Sequence, residues 1–418
     1  MTRPDETSAL RSAGLLGRTL GHSLSPQIHK LFGDYAYRLF EKEPDEVAAL
    51  LRNGFSTGEF DFLNVTIPYK QTVFALCDEL TPMAKKLGNV NFVTRTAGDK
   101  LLGDNTDAFG VERLLDSVGA DVRGLKCAIL GAGGAAMTVK AVLEERGAAR
   151  VTFVRRGETP AQDDEVIVNA TPVGMFPHGD EVRVDISQYV PCRYVLDLVY
   201  NPSPTRLVRE ALACGKVAAD GLVMLIAQAY RAFRLSTLNP QPTTLNSQPS
   251  TLFLYGPPAS GKSTLAKKIA AATGWRLVDL DAEIVKQAGR SIPEIFAAEG
   301  EKGFRAIEKE CLRRVCDGGT CDGGTDPCSR GTDPCDGGTD PVQAQVVALG
   351  GGALLDDVSR RLAEAAGRVI VLDCSVETLK SRLTGGDRPL SADTAKLEAL
   401  LAARKAHYAS LARHVQMI

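Results

Sequence analysis

A polar, uncharged segment divides this chain into two parts that must fold separately. It runs from Thr237 to Ser250, TLNPQPTTLNSQPS, and is an imperfect seven-residue repeat rich in Pro, Gln, Asn, Ser and Thr. Such a composition cannot bury enough apolar surface to offset the conformational entropy that is lost on ordering. We therefore predict a linker over residues 236–250 with a globular run on each side. A chain of 418 residues is long enough for two or three domains.

Composition and charge exclude several classes of partner. The chain is 44% hydrophobic and 24% charged, and its net charge of −2 gives no electrostatic reason to bind nucleic acid or a membrane surface. No apolar run approaches the roughly 20 residues that cross a bilayer. The first residues, MTRPDETSALRSAG, lack the apolar core of a secretory signal. We expect a cytoplasmic protein that acts on small molecules, either as a monomer or as a homodimer.

The first candidate site lies near the N-terminus. A short strand over Ala13–Gly17 leads into GHSLSPQIH, residues 21–29, where Pro26 suits the first turn of a helix and Ser25 suits its N-cap. The hydroxyls of Ser23 and Ser25 flank this helix start, where free N–H groups favour an anion. Ser25 either caps the helix only or also binds an anion, and the local pattern leaves both open.

A second group of polar residues follows a predicted strand. FDFLNVTIPYK, residues 60–70, alternates apolar and polar residues, and Pro68 ends the strand. Lys70 then stands at its carboxyl end, the edge at which open α/β sheets bind ligands. Asn, Asp and Thr are dense in Asn89–Asn91 and Gly103–Asp107. Residues of these types either form turns or surround a polar substrate, and the pattern does not choose between these roles.

A dinucleotide-binding pattern comes next. The apolar strand Lys126–Leu130 runs into GAGGAA and then a helical stretch, which is G-x-G-x-x-A in the context that the motif requires. The second strand ends in Arg155 and Arg156, where an NAD site carries an acidic residue. Two arginines suit the 2′-phosphate of NADP, so we predict NADP as the cofactor. The predicted contacts are Gly131, Ala132, Gly133, Gly134, Ala135, Arg155 and Arg156.

Seven ordered stretches in this half together resemble the shikimate dehydrogenase family: GHSLSPQIH, NVTIPYK, GNVN, GDNTDAFG, GAGGAA, NATPVGM and ADGLVMLIAQA. The match covers about residues 13–235. The resemblance implies reversible, NADPH-dependent reduction of 3-dehydroshikimate to shikimate. It also implies that Ser23 and Ser25 bind the substrate carboxylate and that Lys70 and Asp107 form the catalytic pair.

The same resemblance implies further binding positions. Those that bind substrate hydroxyls or close the site are Thr66, Asn91, Tyr200 and Gln228. Those on the cofactor side are Thr171 with the two residues before it, Gly221 and Met224. One departure concerns the eight residues GETPAQDD that separate Arg156 from the next predicted strand. The family has room there for a helix and a strand, so we expect a smaller sheet.

The second half opens with a phosphate-binding loop. The strand Thr251–Tyr255 runs into GPPASGKS, which is G-x-x-x-x-G-K-S, and then into a helix. Backbone amides of such a loop surround phosphates, Lys262 reaches the terminal ones, and Ser263 ligates Mg²⁺. This pattern predicts ATP and Mg²⁺ as ligands. The predicted ATP contacts are Gly256, Ala259, Ser260, Gly261, Lys262, Ser263 and Thr264.

Charged residues after this loop have a recognisable order. They are Asp279 and Asp281 in D-L-D, Arg305 in G-F-R, the glycines Gly350, Gly351 and Gly352, then Arg388 and Arg404. Each alone is explained equally well as an ion pair or a turn. As an ordered set they resemble shikimate kinase, from residue 251 to the C-terminus.

The kinase resemblance implies a role for each member of the set. Asp279 helps to place Mg²⁺, and Arg388 closes over the phosphates. Asp281 binds shikimate and accepts its hydroxyl proton, and Glu308 orients the arginine one turn before it. The remaining shikimate-binding positions are Arg305, Gly350, Gly351, Gly352 and Arg404.

Two departures affect the kinase half. A second seven-residue repeat, CDGGT, CDGGTDP, CSRGTDP, CDGGTDP, lies between Cys316 and Pro341. Its cysteines could in principle hold zinc, but no C-x-x-C pair is present, and we favour a disordered insertion over residues 316–345. The family also has a last strand and helix, for which the few residues after Tyr408 leave little room.

These observations predict an α/β fold in three domains. A substrate-binding domain over 1–106, completed by 216–235, and a Rossmann-type NADP domain over 107–215 form a two-domain dehydrogenase. A P-loop kinase domain with a central parallel sheet follows over 251–418. The alternatives are a dehydrogenase that carries a non-catalytic kinase-like module, and quinate as the substrate of the first half.

Overall fold

The computed structural model describes residues 12–238, 251–317, 344–383 and 394–416. The chain divides into two compact units, and the division falls between Asn246 and Ser247, within the predicted linker. The first residues of that predicted linker belong to a helix that runs to Leu238, and residues 239–250 lie outside the described ranges. Within those ranges no helix is both long and apolar enough to cross a bilayer.

The N-terminal unit begins with a mixed sheet of six strands in the order β2-β1-β3-β5-β6-β4. Its strands are β1 (Ser12–Gly17), β2 (Ala36–Glu41), β3 (Phe62–Val65), β4 (Glu79–Leu80), β5 (Phe92–Arg95) and β6 (Leu101–Asp104). Its helices are α1 (Ser25–His29), α2 (Val47–Thr57), α3 (Lys70–Leu76) and α4 (Pro82–Leu87). Strand β3 is parallel to β1 and antiparallel to β5, and all four of its residues are buried. Because β3 is covered on both faces, Leu63 and Val65 pack in one core cluster while Phe62 packs in another.

A second, fully parallel sheet follows in the same unit, with the order β11-β10-β9-β7-β8. Its strands are β7 (Lys126–Leu130), β8 (Arg150–Val154), β9 (Val166–Asn169), β10 (Tyr194–Asp197) and β11 (Val217–Ala219). The helices of this part are α5 (Asp107–Ser117), α6 (Gly134–Glu145), α7 (Arg206–Ala213) and α8 (Leu222–Leu238). Residues 155–165 contain no helix, which is the short connection that the sequence indicated. Sheet, loop and helix follow the Rossmann pattern.

One predicted boundary needs correction. Residues 216–235 were grouped with the substrate-binding domain, but β11 pairs in parallel with β10, with Val217 opposite Tyr194. This short apolar strand extends the dinucleotide sheet at its edge. Only the helix after it, α8, contacts α1 and α5, so the completion of the first domain starts at Leu222.

The C-terminal unit is a parallel sheet of five strands in the order β13-β14-β12-β15-β16. Its strands are β12 (Thr251–Tyr255), β13 (Arg276–Asp279), β14 (Gln345–Ala348), β15 (Arg368–Asp373) and β16 (His414–Gln416). Its helices are α9 (Lys262–Thr273), α10 (Leu280–Ala288), α11 (Ile292–Cys316), α12 (Asp357–Ala366), α13 (Val376–Leu383) and α14 (Thr394–Ala409). The central strand β12 is buried throughout, and Phe253 and Tyr255 pack in the core with Leu312 and Tyr408.

The expectation that the chain lacks the last strand is wrong. His414 pairs with Val371 in β16, parallel to β15, because three residues with a buried valine suffice to extend the sheet at this edge. The predicted insertion is shorter than expected at both ends, since α11 continues to Cys316 and β14 starts at Gln345. Residues 318–343, which hold the cysteine repeat, lie outside the described ranges.

Candidate active sites

An ion pair between Lys70 and Asp107 marks the centre of the first site. Lys70 is the first residue of α3, just after β3, and Asp107 is the first residue of α5, just after β6. Strands β3 and β6 run in the same direction, because each is antiparallel to β5. Nζ of Lys70 lies 2.5 Å from Oδ2 of Asp107, and the two side chains are only 18% and 11% exposed. An ammonium and a carboxylate at this distance can exchange protons with a bound substrate.

The polar clusters of the sequence fix the carboxylate of Asp107. Asn91 donates from Nδ2 to Oδ1 of Asp107 at 2.8 Å and accepts at its own Oδ1 from the backbone N–H of Thr106 at 2.6 Å. Asn105 donates to Oδ1 of Asn89 at 2.7 Å and accepts from the backbone N–H of Asp107 at 3.0 Å. These residues therefore form turns and orient the Asp107 carboxylate, and their contact with a polar substrate stays a prediction.

The two serines near the N-terminus lie together, but Ser25 is not an N-cap. Leu24 occupies that position and Ser25 is the first residue of α1, buried from solvent. The backbone N–H of Ser25 donates to Oγ of Ser23 at 3.2 Å, and the two hydroxyls are 3.1 Å apart. Because Ser23 satisfies that N–H, Leu24 adopts helical backbone angles and the helix begins one residue earlier than predicted. The paired hydroxyls stay candidates for binding a carboxylate.

The structure adds Asn64, which the sequence interpretation missed. It lies in the middle of β3 and is 4% exposed. Its Oδ1 accepts from the Tyr37 hydroxyl at 3.0 Å, and its Nδ2 reaches the backbone oxygen of Asn91 at 3.5 Å. A polar residue among the apolar residues of a central strand was the signal that could have identified it.

Helix α8 brings further predicted residues beside α5, the helix that begins at Asp107. Gly110, one turn after Asp107, packs so closely that a Cβ built there would lie 2.9 Å from the Met224 backbone oxygen and 3.5 Å from Cβ of Gln228. Thr66 follows β3, and a Cβ built at Gly17 would lie 2.8 Å from its Cγ2. These residues therefore border the region around Lys70 and Asp107.

Tyr200 belongs to the loop after β10, in the dinucleotide-binding part of the unit. It is half-buried, and burial raises the pKa of its hydroxyl above the ordinary value. The hydroxyl is therefore neutral at neutral pH and can donate a hydrogen bond. This arrangement leaves its predicted substrate contact open.

The glycine loop after β7 has an open surface at the start of α6. Gly131 has a φ of +105°, and a Cβ there would lie 3.0 Å from Cγ2 of Thr171, so both the turn and the close approach require glycine. A Cβ at Gly133 or Gly134 would meet nothing within 4 Å. Ala132 is exposed and Ala135 is half-buried. Free space over an uncapped helix N-terminus fits a pyrophosphate.

Further residues that we predicted to contact the cofactor follow β8 and β11. Arg155 and Arg156 follow β8 directly and are exposed, and the Arg155 backbone N–H donates to Glu158 at 2.7 Å. Their position at the carboxyl end of the second strand fits a ribose 2′-phosphate. Gly221 donates to the Val199 backbone oxygen at 2.9 Å, and its close approach to the neighbouring backbone leaves no room for a side chain.

A buried carboxylate, that of Asp197, holds residues next to these loops by hydrogen bonds. Asp197, at the end of β10, accepts at Oδ1 from Nδ2 of Asn169 at 2.8 Å and from the Val199 N–H at 3.0 Å. Burial raises the pKa of Asp197 to about 6, although hydrogen bonds, including one to Thr205, partly oppose this. Asn169 in turn accepts from the N–H and the hydroxyl of Thr171. Asp197 is therefore one hydrogen-bonded residue away from a predicted cofactor contact.

The backbone of the phosphate loop in the C-terminal unit surrounds the side chain of Lys262. Gly256 and Gly261 have φ values of +137° and +92°, and Ala259 adopts +61° although it is not glycine. Nζ of Lys262 donates to the backbone oxygens of Gly256 at 3.0 Å and Pro257 at 2.7 Å. Oγ of Ser260 is buried with no hydrogen-bond partner among the described residues. A cradle of this shape with an unsatisfied hydroxyl fits a bound phosphate group.

Oxygen ligands suited to Mg²⁺ lie beside this loop. Ser263 donates from Oγ to Oδ2 of Asp279 at 3.0 Å, and Asp279 caps α10 by accepting from the Asp281 N–H at 3.1 Å. Thr264 is exposed at the next position. In the described ranges no three His, Cys, Asp or Glu side chains form a metal site by themselves. A hydroxyl and one carboxylate fit a metal that takes its other ligands from phosphates and water.

The triple glycine gathers the predicted acceptor-binding residues. A Cβ at Gly350 would lie 3.2 Å from Oδ1 of Asp281 and 3.0 Å from Oε1 of Glu308. A Cβ at Gly352 would lie 2.6 Å from Nη2 of Arg305. Arg305 donates from Nη1 to Oε2 of Glu308 at 2.5 Å, as the sequence predicted. A side chain at Gly350 or Gly352 would displace these charged groups from their present positions.

The middle glycine connects this cluster to the C-terminal helix. The backbone oxygen of Gly351 accepts from Nη1 of Arg404 at 2.9 Å and from the Tyr408 hydroxyl at 2.8 Å. A Cβ at Gly351 would also lie 3.3 Å from the backbone oxygen of Gly256. The arginine on α14 and the phosphate loop are thus held against the same backbone segment.

The structure places an arginine other than the predicted one near the phosphate loop. Arg388 lies outside the described residues, so its predicted contact with phosphates stays a prediction. Arg382, on α13, lies with Nη1 3.4 Å from the Ala259 backbone oxygen and 3.9 Å from Sγ of Cys374. The sequence interpretation missed it, because the only signal was a basic residue near the end of a helix.

Known proteins match both units. The family model for the shikimate dehydrogenase substrate binding domain matches residues 15–93, and the model for shikimate kinase matches residues 258–322 and 340–417. The NADP(+) shikimate dehydrogenase of Methanopyrus kandleri is 36% identical over 265 residues, which cover 55% of this chain and 91% of that protein.

Solved structures agree with this match. A chorismate mutase/shikimate 5-dehydrogenase fusion protein from Clostridium acetobutylicum is 30% identical with a TM-score of 0.51, covering 56% of this chain and 94% of its own. Shikimate 5-dehydrogenase from Thermus thermophilus, in complex with NADP(H) and shikimate, is 30% identical with a TM-score of 0.50, covering 56% and 96%. The C-terminal unit thus resembles shikimate kinase, and the chain belongs to the shikimate dehydrogenase family through its N-terminal unit.

Proposed function

We propose that this chain reduces 3-dehydroshikimate to shikimate with NADPH and then transfers a phosphate from ATP to shikimate, giving shikimate 3-phosphate. The observation that carries the first step is the pair formed by Lys70 and Asp107, 2.5 Å apart and largely buried. The second step is supported by the charged residues that meet at Gly350–Gly352, next to the phosphate loop.

The residues of the first site suit carbonyl reduction. NADPH, when bound, supplies the hydride for the carbonyl carbon, and a proton must reach the carbonyl oxygen. Lys70 donates that proton, and Asp107 stabilises its ammonium form and exchanges the proton with solvent. Asn91 keeps the Asp107 carboxylate turned towards Lys70. In the reverse direction Lys70 accepts the proton of the substrate hydroxyl.

The cofactor preference rests on the arginines after β8. Arg155 and Arg156 are exposed where a dinucleotide places its adenosine ribose. Their charge favours the 2′-phosphate that distinguishes NADP from NAD. The related Thermus thermophilus structure is a complex with NADP(H), whereas a Listeria monocytogenes relative is described with NAD. We infer NADP for this chain.

The residues of the second site suit in-line phosphoryl transfer. Asp281 accepts the proton of the attacking shikimate hydroxyl, and Arg305 and Arg404 bind shikimate. Lys262 leaves its two loop carbonyls to neutralise the terminal phosphates of ATP. Ser263 and Asp279 would hold Mg²⁺, which neutralises phosphate charge when it is bound. Glu308 is 5% exposed, and burial raises its pKa, an effect that Arg305 partly offsets.

A coupled assay on the full chain tests the proposal. With 3-dehydroshikimate, NADPH, ATP and Mg²⁺, we expect NADPH oxidation and accumulation of shikimate 3-phosphate. Lys262→Ala should stop the sequence at shikimate, and Lys70→Ala should yield neither product from 3-dehydroshikimate but should still phosphorylate added shikimate. Shikimate that accumulates in the wild type despite ATP would instead indicate a non-catalytic kinase module. A higher kcat/KM for quinate than for shikimate would indicate a quinate dehydrogenase.

A further inference from the structure

A cluster of the buried His29 and the half-buried Tyr35 and Tyr37 lies behind the substrate side of the dehydrogenase site and has no role in the chemistry above. His29, the last residue of α1, is 1% exposed. Its ring stacks on Tyr37 with the centroids 4.0 Å apart, and its Nδ1 lies 2.5 Å from the Tyr35 hydroxyl. Burial lowers the pKa of His29 to about 3, which a hydrogen bond to Asn64 only partly opposes. The imidazole is therefore neutral.

The Tyr37 hydroxyl connects this cluster to two residues of the site. It donates to Oδ1 of Asn64 at 3.0 Å, and the Ser25 side chain lies close enough to oppose in part the rise that burial causes in the pKa of Tyr37. Ser25 and Asn64 are both buried. They come from different elements, α1 and β3, while Tyr37 belongs to the edge strand β2. One phenol thus contacts a candidate carboxylate-binding serine and an amide that lies against Asn91.

The donor role of the phenol decides how the Asn64 amide is turned. Because Oδ1 accepts from Tyr37, the NH₂ group must face the other side, where it lies 3.5 Å from the Asn91 backbone oxygen. Asn91 in turn bonds Asp107. An amide without such a partner can rotate by half a turn at little cost and present its oxygen instead.

The Ser25 hydroxyl has a similar freedom. A serine hydroxyl rotates to suit its neighbours, and that of Ser25 lies between Ser23, at 3.1 Å, and the Tyr37 phenol. The phenol itself cannot shift far, because its ring is stacked on His29. Tyr37 is therefore the rigid member among three hydrogen-bonding groups.

We infer that Tyr37 is a positioning residue of the dehydrogenase site, which orients the Asn64 amide, beside Ser25, for binding the substrate. The inference rests on the proposed dehydrogenase function. Tyr37 touches neither Lys70 nor Asp107 through a direct hydrogen bond in the described structure, so its loss weakens substrate binding and leaves proton transfer intact. Loss of the Tyr37 hydroxyl should therefore raise KM for shikimate.

Tyr35 offers a matched control in the same cluster. Tyr37→Phe and Tyr35→Phe each remove one phenolic oxygen and keep the ring. The Tyr35 hydroxyl forms a hydrogen bond with Nδ1 of His29. It is related to Ser25 and Asn64 only indirectly, through another residue of the cluster. A cluster that served packing alone would respond to both substitutions in the same way.

The experiment measures shikimate oxidation with NADP⁺ on the full chain, as initial rates of NADPH formation. For Tyr37→Phe we expect KM for shikimate to rise about tenfold, kcat to change by less than about threefold, and KM for NADP⁺ to stay constant. Tyr35→Phe should keep KM for shikimate within about twofold of wild type. KM does not depend on the fraction of folded enzyme, so partial unfolding of a variant does not obscure the result.

Two results would overturn the inference alone: an unchanged KM for shikimate in Tyr37→Phe, or an equal rise in Tyr35→Phe. A wild-type chain that does not oxidise shikimate with NADP⁺ would overturn the proposed function, and with it the role of Tyr37. The wild-type rate therefore separates the two failures.

Discussion

The side-chain amide of Asn91 donates to Oδ1 of Asp107 at 2.8 Å, which leaves Oδ2 for the ammonium of Lys70 at 2.5 Å. The two oxygens of one carboxylate thus have separate partners, since one is held by an amide and the other by an ammonium group. The division depends on a turn in which Thr106 and Asn105 are themselves held by side chains of the neighbouring segment.

Removal of the Lys70 ammonium should abolish most of the turnover in the first reaction. For Lys70→Ala we expect kcat for shikimate oxidation to fall by about 10²–10⁴, the usual contribution of a general acid–base group, while NADP⁺ still binds. Stopped-flow or steady-state rates and a fluorescence titration with NADPH check the two parts. Lys100→Ala removes an exposed lysine from an ion pair with Glu79 and is the control. Turnover of Lys70→Ala at the wild-type rate would exclude the catalytic role.

A methyl group at Gly133 should block the cofactor without disturbing the fold. A Cβ there meets nothing within 4 Å, and the backbone is extended, with φ of −82° and ψ of −173°. The pyrophosphate needs that free surface, so we expect Gly133→Ala to raise KM for NADP⁺ about tenfold and to change the free energy of unfolding by less than about 0.5 kcal/mol.

Gly98→Ala is the matched substitution for this test. A Cβ at Gly98 is near only the Thr96 hydroxyl, at 3.8 Å, in an exposed turn. Kinetics and urea unfolding of both variants should separate cofactor binding from stability. Equal KM values for NADP⁺ in the two variants would place the pyrophosphate elsewhere.

Asp197 should make stability depend on pH between about 4 and 6. Its pKa is raised from 3.8 to about 6 by burial, so the folded state binds the proton more tightly than the unfolded chain does. The stabilisation from protonation is therefore complete below pH 4 and is lost as the pH rises through 6, a loss of about 3 kcal/mol. Asp197→Asn mimics the protonated form, so its free energy of unfolding should not show this decline.

Urea unfolding at pH 4.5 and pH 7 measures this effect. We expect the difference in stability between Asp197→Asn and wild type to shift in favour of the variant at pH 7. Asp180→Asn removes the same charge at an exposed position and is the control. A difference that is the same at both pH values would contradict the buried titration.

In the kinase half, Glu308 should act through Arg305. The carboxylate holds Nη1 of Arg305 at 2.5 Å against the triple glycine. Glu308→Gln keeps the shape but removes the charge, so we expect KM for shikimate to rise about tenfold with KM for ATP unchanged. Glu301→Gln is the control, since Glu301 contacts the same arginine at 3.3 Å but is 70% exposed. Equal effects of the two substitutions would indicate that charge alone matters.

Local patterns predicted the elements and the glycine loops because the signal for each lies within a few consecutive residues. The loops of Gly131–Ala136 and Gly256–Ser263 stand between strand and helix as expected. Lys70 could also be placed at the carboxyl end of a strand, whereas its pairing with Asp107 was predicted from the family resemblance and is found in the structure. The start of α1 and the edge strand β16 differed from expectation because one Ser side chain and one buried valine decided them.

The supporting residues could not be predicted in this way. Tyr37, Asn64 and Asp197 act through partners 27 or 28 positions away in the chain, and only Asn64 has a local signal, as a polar residue within an apolar strand. Arg382 reaches a loop 123 positions before it. Such contacts depend on how strands and helices assemble, and a single sequence does not contain that distance information.

Asp107 opens the helix that joins the two sheets of the N-terminal unit. Helix α5 starts at the edge of the first sheet and leads into β7 of the second. A rotation of one sheet against the other would tilt this helix and draw the carboxylate away from Lys70. A substitution that loosens the packing of α5 between the two sheets would therefore weaken this ion pair as well, even at a distance from the site.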